Sequence, residues 1–367
     1  MIESMSPYLL FVIGLVVLIG SAELLIKNAV TLASTIGRSR LLIGMTVAAL
    51  GTSAPELAIG VVGILEGTAD VGVGNIVGSN IFNILIVLGI GALIAPLAVN
   101  RKTILRDIPI LLGVYLLFFL MVLNGYLGII ESILLLIILA GYIFYLSRVS
   151  SERSESMMPE IGETEKAPLS RMALIGRLTL IVVSVALLAG GSHLMVTGVV
   201  AIAKSYGVSE LTIGLTVVAA GTSLPEAATT LAAIRKGEHD LAIGNIMGSC
   251  LFNIIAVPAL MSLITLSPLA VADDAFFTDL PVMILALIAC LPIFFSGHRI
   301  SRPEGFLFLV YYVCYALILY LRASDDSFLA DYKTLFWVLV VSMFVITFGI
   351  ITTRAVTYAR RLNRNGK

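Results

Sequence analysis

A glutamate sits in the middle of an apolar run, Leu41 to Leu65, that is long enough to cross a bilayer. The hexapeptide around it is Gly51-Thr52-Ser53-Ala54-Pro55-Glu56. It returns 170 positions later as Gly221-Thr222-Ser223-Leu224-Pro225-Glu226. Two longer matches share that offset: residues 43–56 agree with 213–226 at ten of fourteen positions, and residues 74–85 with 244–255 at eight of twelve. A weaker match, Gly20-Ser21 with Gly191-Ser192, needs a one-residue shift. The chain is internally duplicated. Its fold must therefore accommodate two copies of an acidic, proline-interrupted segment at lipid depth.

Fifty-nine percent of the residues are hydrophobic and 13% are charged, with a mean hydropathy of +1.06. So little charge cannot cover a water-soluble domain of this length. Backbone groups in lipid must be paired within their own segment, which favours helices. The expectation is an all-α polytopic membrane protein with spans near 7–26, 41–65, 71–96, 107–123, 127–147, 172–195, 209–234, 241–267, 276–296, 304–321 and 334–358. Loop charges alternate along this series. Lys27, Arg38, Arg40, Arg101, Lys102, Arg106, Arg148, Arg235, Lys236, Arg299 and Arg302 fall on one side; Glu66, Asp70, Asp273, Asp274, Asp279, Asp325, Asp326 and Asp331 fall on the other. The positive-inside rule then puts the N-terminus outside and the C-terminus in the cytoplasm. The start, Met1-Ile2-Glu3-Ser4, has no basic region, so the first run reads as a retained helix.

These spans divide into a first five-helix repeat (1–147), a cytoplasmic linker (148–170), a second five-helix repeat (171–322) and a segment with an eleventh helix and a basic tail (323–367). Five is odd, so the two repeats enter the membrane from opposite sides. Inverted repeats of this kind are typical of secondary transporters, whose sites lie near the midplane on broken helices. The linker is rich in Ser, Glu and Pro and too short to be a folded domain. Net charge is zero and by itself says nothing about partners; no nucleic-acid partner is expected and no obligatory protein partner is evident. Cys250, Cys290 and Cys314 lie in apolar runs with neither disulfide nor metal-ligand spacing. No H-E-x-x-H, G-x-S-x-G or nucleotide loop suggests an enzyme, and no cofactor is expected.

The chemistry concentrates in the repeated motifs. Pro55 and Pro225 have no N–H to give back to the preceding turn, and Gly51 and Gly221 add backbone freedom. Carbonyls upstream, including those of Ala49 and Ala219, then lose helical donors. Thr52, Ser53, Thr222 and Ser223 add hydroxyl oxygens, and Glu56 and Glu226 add charge. Each mid-membrane acid costs roughly 2.5–3.5 kcal/mol if nothing answers it. Spans two, three, seven and eight hold no Lys or Arg to do so. Ser79 and Asn83 share a helix face, as do Ser249 and Asn253. Two carboxylates among many neutral oxygens suit the six to eight hard ligands of Ca²⁺. A plainer reading exists for Ser53-x-x-Glu56, which is also a capping box. Gly74-x-x-x-Gly78 and Gly244-x-x-x-Gly248 read as helix-packing motifs. Asn75 and Asn245 read equally as helix-to-helix bonds, and Glu23 and His193 as structural residues.

The paired G-T-S-x-P-E and G-N-x-x-G-S-x-x-x-N motifs resemble the two alpha-repeats of the calcium/cation antiporter superfamily, nearest to its sodium/calcium exchanger branch and to prokaryotic members. The resemblance covers roughly residues 7–322. It implies a ten-helix core of two inverted halves, to which the eleventh C-terminal transmembrane helix is extra. It also implies four clustered sites for Ca²⁺ and Na⁺, and gating by sliding of the first and sixth helices. By motif position it implies Glu56 and Glu226 as shared ligands, with Thr52 and Thr222 joining them around calcium. Ser53, Ser79, Asn83, Ser223, Ser249, Asn253 and the Ala219 carbonyl would complete the sodium sites. Some relatives carry Asp where this chain has Asn253, which leaves two acidic ligands here. One Ca²⁺ balances two carboxylates and three Na⁺ do not, so exchange would be electrogenic. The function implied is Ca²⁺/Na⁺ antiport by alternating access in a prokaryotic plasma membrane. The alternative is H⁺/Ca²⁺ antiport on the same two glutamates. A passive channel fits broken inverted repeats less well.

Overall fold

The structure is a computed structural model. It describes residues 5–36, 39–65, 69–101, 103–156, 171–206, 219–273, 275–295 and 299–323, with scattered positions between 334 and 353. Among the described residues, eight helices are long and apolar enough to cross a membrane, and a shorter apolar helix covers Ala275–Leu291. The expected seventh span lies outside the described residues up to 218, as do much of the eleventh and most of the linker.

The first half begins with α1 (Pro7–Thr35), which follows Ser6 without a side-chain cap and carries its proline at the permissive first turn. Then comes a broken helix: α2 (Arg40–Ile43), a π-helical turn (Gly44–Ala48), α3 (Ala49–Thr52) and α4 (Ala54–Leu65). α5 (Ala69–Phe82) passes through a π turn (Asn83–Val87) into α6 (Leu88–Ile94). A two-residue strand β1 (Leu97–Ala98) precedes a π turn (Thr103–Asp107) and α7 (Ile108–Met121). Strand β2 (Tyr126–Leu127) and α8 (Ile129–Ser156) complete this half; Gly125, at φ 86, makes the turn before β2. The second half contains α9 (Arg171–Ser205), α10 (Ala219–Gly221), α11 (Leu224–Arg235) and α12 (His239–Thr265). Strand β3 (Leu269–Ala270), a π turn (Ala275–Asp279), α13 (Leu280–Phe295), strand β4 (Arg299–Ile300) and α14 (Arg302–Ala323) follow.

Proline sets several of the irregularities, and sets them in pairs. Pro109 and Pro281 each lack the N–H that would bond the residue four before, Leu105 or Phe277, and both of those residues lie in a π turn. α12 carries Pro258 within its length, whereas the matching stretch of the first half relaxes through the π turn Asn83–Val87.

The core is built around α12, which is buried along nearly its whole length. Small residues let it touch the broken helix. A Cβ on Gly244 would lie 2.6 Å from the Leu41 carbonyl oxygen, and one on Gly248 2.6 Å from the Met45 Cα. The Gly244-x-x-x-Gly248 motif is thus a packing seam. The segment that the duplication would set against Gly74 and Gly78 falls in 207–218, outside the described residues. A second seam joins α1 and α9, which run antiparallel. A Cβ on Gly14 would reach within 2.3 Å of the Met195 nitrogen, and one on Gly198 within 2.6 Å of the Phe11 nitrogen.

Loops that the charge pattern assigns to one side do meet. β1 pairs antiparallel with β4, β2 with β3, and Arg40 bonds Glu238 at 2.5 Å. Each contact ties one half to the other. The strands are two residues long, too short for any alternation to mark them in sequence.

Four expectations need correction. α1 and α9 run to 29 and 35 residues, well past the ends expected at 26 and 195. At 1.5 Å per residue they measure about 44 and 52 Å, more than the hydrocarbon core. α8 continues to Ser156, beyond 147. Asp279, grouped with the loop acids, is buried at the end of the π turn that leads into α13 and accepts a hydrogen bond from Tyr315 at 3.1 Å. Asp107 accepts the equivalent bond from Tyr142 at 3.2 Å.

Candidate ion site

Both acidic motifs end in the interior. The first helix stops at Ser53 and restarts at Ala54, and the second turns at Thr222 and Ser223 before α11. Glu56 and Glu226 are fully buried, as are Ser79, Asn83, Ser223, Ser249 and Asn253; Thr52, Ser53 and Thr222 are nearly so. Ala219 opens α10, and its surroundings lie outside the described residues.

The two halves exchange side chains. The Ser53 hydroxyl donates to Glu226 Oε1 at 3.3 Å, and the Ser79 hydroxyl to Glu56 Oε1 at 3.3 Å. Thr52 Oγ1 lies 3.3 Å from Ser249 Oγ, and Thr222 Oγ1 lies 3.3 Å from Ser79 Oγ. This last pair of contacts is reciprocal: residues 52 and 222 correspond in the duplication, as do 79 and 249. Ser223 lies beside Glu56 without closing a hydrogen bond. One oxygen of each carboxylate, Oε2, has no hydrogen-bond partner, and neither amide atom of Asn83 or Asn253 has one. Those two asparagines follow Ser79 and Ser249 by one turn and share the interior with the acids, but no hydrogen bond links them to either carboxylate.

Among the described residues, the ion pairs are Arg40 with Glu238 and Arg106 with Asp107, so no basic side chain neutralises Glu56 or Glu226. The site consists of oxygens and amides. Two fully buried carboxylates with open oxygens and no protein cation form a place where mobile positive charge is stabilised.

Three local readings change. Gly51 stays helical within α3, and a Cβ there would lie 2.5 Å from Val185 Cγ2 of α9; at Gly221 it would lie 2.6 Å from Val196 Cγ2. These glycines serve close approach to α9. The Ala49 carbonyl is not bare, since it accepts the Ser53 N–H at 3.0 Å and the Thr52 hydroxyl at 3.3 Å. The capping-box reading also fails here. Ser223 makes no side-chain cap, and the Ser53 hydroxyl crosses to the other half.

Other residues join the site. Asn75 Oδ1 accepts from Thr222 at 3.0 Å, crossing between halves, whereas Asn245 Nδ2 donates to Thr230 at 3.0 Å within its own half. Asn80 was not anticipated: it is fully buried with both amide atoms unpaired and follows Ser79 in sequence, but no hydrogen bond ties it to the site. The duplication hid it, because the matching position is Cys250. Glu23 and His193 lie exposed on α1 and α9, away from these residues.

A family model described as "Sodium/calcium exchanger protein" matches residues 6–148 and 177–321. The chain is 38% identical over 313 residues to a putative antiporter, CaxA, of Alkalimonas amylolytica, covering 84% of this chain and 97% of that one. It is 30% identical over 345 residues to the sodium/calcium exchanger MaX1 of Methanosarcina acetivorans, covering 85% and 98%. The solved structure of the sodium-calcium exchanger NCX_Mj, soaked with Na⁺ and Sr²⁺, superposes with a TM-score of 0.70 at 27% identity, covering 84% and 96%.

Proposed function

The chain belongs to the sodium/calcium exchanger protein family, and we propose that it exchanges Ca²⁺ for Na⁺ by alternating access, with Glu56 and Glu226 as the ligands both ions use. The family is one of transporters, not enzymes, so these ions are cargo. The protein is an integral membrane cation exchanger.

The observation that carries the proposal is the set of four oxygen–oxygen separations of 3.3 Å around the two carboxylates. Hydroxyl hydrogen bonds centre near about 2.7–2.8 Å. Oxygens that share a Ca²⁺ at 2.3–2.6 Å, about a right angle apart, lie about 3.3–3.7 Å from one another. The spacing suits neighbouring ligands of one ion better than it suits closed hydrogen bonds. Thr52 and Thr222 stand beside the acids for calcium. Ser53, Ser79, Asn83, Ser223, Ser249, Asn253 and the Ala219 carbonyl supply neutral oxygens for sodium.

Two inverted five-helix halves, 1–147 and 171–322, form the exchanging unit in this reading, with 148–170 linking them and 323–367 added. CaxA and MaX1, which match over most of the chain, are bacterial and archaeal, which supports a prokaryotic plasma membrane; the loop charges support an external N-terminus.

The open Oε2 atoms also suit protons, so H⁺/Ca²⁺ exchange is the competing reading. Proteoliposomes separate the two. Ca²⁺ uptake driven by an outward Na⁺ gradient at equal pH is the expected result. Uptake driven by a pH gradient and indifferent to Na⁺ would replace sodium with protons.

A further inference from the structure

The Gly20-Ser21 and Gly191-Ser192 match takes no part in the ion site, yet its two serines behave differently. Ser192, on α9, donates to the Gly221 carbonyl at 2.6 Å, and both residues are buried. That carbonyl is the one that Pro225 leaves without a helical N–H. Ser192 therefore fills the gap in the second broken helix. The first broken helix has the same gap: Pro55 leaves the Gly51 carbonyl without its donor. The matching serine does not fill it. Ser21 is buried on α1 and turns back on its own helix, to the carbonyls of Val17 at 2.6 Å and Leu18 at 3.1 Å.

The packing is unequal in the same sense. α9 lies against both breaks, α3 and α10, with Val185 over Gly51 and Val196 over Gly221. α1 lies instead along α11, where Lys236 donates to the Glu23 carbonyl at 3.2 Å. α9 makes no comparable contact with α4. When a duplicated chain holds its two halves in different arrangements, exchanging the arrangements yields the second state of an alternating cycle.

We propose that Ser192 and Ser21 are reciprocal latches: Ser192 holds the Gly221 carbonyl in the conformation seen here, and Ser21 holds the Gly51 carbonyl in the opposite one. This rests on the alternating-access reading above. Both are positioning residues, each tying a peripheral helix to one break of the ion site while the other serine returns to its own helix. A latch that forms in only one state shifts the balance between states, and a neutral buried hydrogen bond is equivalent to about a five-fold change in that equilibrium.

The test uses the full chain with spin labels at Leu65 and Tyr206, exposed ends of α4 and α9. Their separation is measured by double electron–electron resonance in Ca²⁺ and in Na⁺. Two separations are expected, one of them that of this structure. Ser192→Ala should reduce the population at that separation about five-fold relative to the other, and Ser21→Ala should raise it about five-fold. The double variant should return toward the unsubstituted distribution, since each state then loses one bond. Each substitution removes a single oxygen and leaves the packing in place. Two separations that neither substitution redistributes, or that both shift the same way, overturn the latch and leave exchange intact. A single separation that neither ions nor substitutions alter removes alternating access, and the latch with it.

Discussion

Glu226→Gln should make the ion-free protein more stable while abolishing its response to calcium. The wild-type interior holds two carboxylates with no basic partner, a cost on the order of 5–7 kcal/mol on insertion scales. Glutamine keeps the length and the oxygen that accepts from Ser53, and it removes one charge. The gain is at most about 2.5–3.5 kcal/mol in the absence of ions. Calcium acts in the other direction. At a hundred times its dissociation constant it stabilises the wild type by about 2.7 kcal/mol. Deleting one partner of a buried charge pair costs about 3–5 kcal/mol, a hundred-fold or more in affinity. The same calcium concentration then gives the variant less than about 0.4 kcal/mol. The protein supplies its own assay, because Cys250 and Cys290 are buried at 0% and 1% exposure and become reactive to a thiol dye on unfolding. Melting in detergent should show the ion-free variant above the ion-free wild type, with calcium raising only the wild type. A variant that melts lower without ions, or that calcium stabilises as before, would mean that the carboxylate is neither a burden when empty nor a ligand when filled.

Four further outcomes follow from particular positions. Ser79→Ala removes a hydroxyl 3.3 Å from both Glu56 and Thr222; equilibrium binding of radiolabelled Ca²⁺ should weaken about ten-fold or more. Gly244→Ala drives a methyl to 2.6 Å from the Leu41 carbonyl oxygen and should cost about 1–3 kcal/mol in the same melting assay. Gly20→Ala meets nothing within 4 Å and should be neutral or better. Asn253→Asp adds a third carboxylate beside two that are already unneutralised, so Ca²⁺ flux in proteoliposomes should become steeper with pH. An unchanged profile would mean that this side chain does not face the ions.

Much of the fold is legible because membrane physics leaves few choices. Long apolar runs must be helices, and the structure begins α5, α12 and α14 within a few residues of where hydropathy does. The duplication brought Glu56, Glu226, Ser79 and Ser249 to attention, and the structure gathers them. What it could not convey is contact between halves. Nothing in either hexapeptide says that Ser53 will bond the other half's glutamate, because that bond depends on how two helices cross. α1 runs past the expected end: Lys27 and Asn28 look like an ending, although Asn28 is buried and bonds the Leu24 carbonyl at 2.8 Å. Asn80 escaped because its counterpart is a cysteine, and comparing the two copies reveals only what both retain.

The tetrapeptide S-x-P-E occurs three times in this chain, at 53–56, 223–226 and 301–304. The third copy is a capping box: Glu304 accepts from the Ser301 N–H at 2.6 Å and from its hydroxyl at 2.8 Å, at the start of α14. The other two have the same local opportunity and do not take it: Ser53 bonds the other half's Glu226, Glu56 accepts from Ser79, and Ser223 makes no side-chain cap. The local sequence sets a helix start in all three copies, and the surroundings decide what the carboxylate does. Glu304 is as buried as the site acids, at 2% exposure, so burial alone does not mark a ligand. The contrast can be measured. Glu304→Gln keeps an acceptor for Ser301, should cost about 1 kcal/mol or less in melting, and should leave exchange intact; Glu56→Gln should stop exchange in a protein that melts no lower. If Glu304→Gln stopped transport as completely as Glu56→Gln, the distinction between a carboxylate that caps its own helix and one gathered among the hydroxyls of the site would be lost.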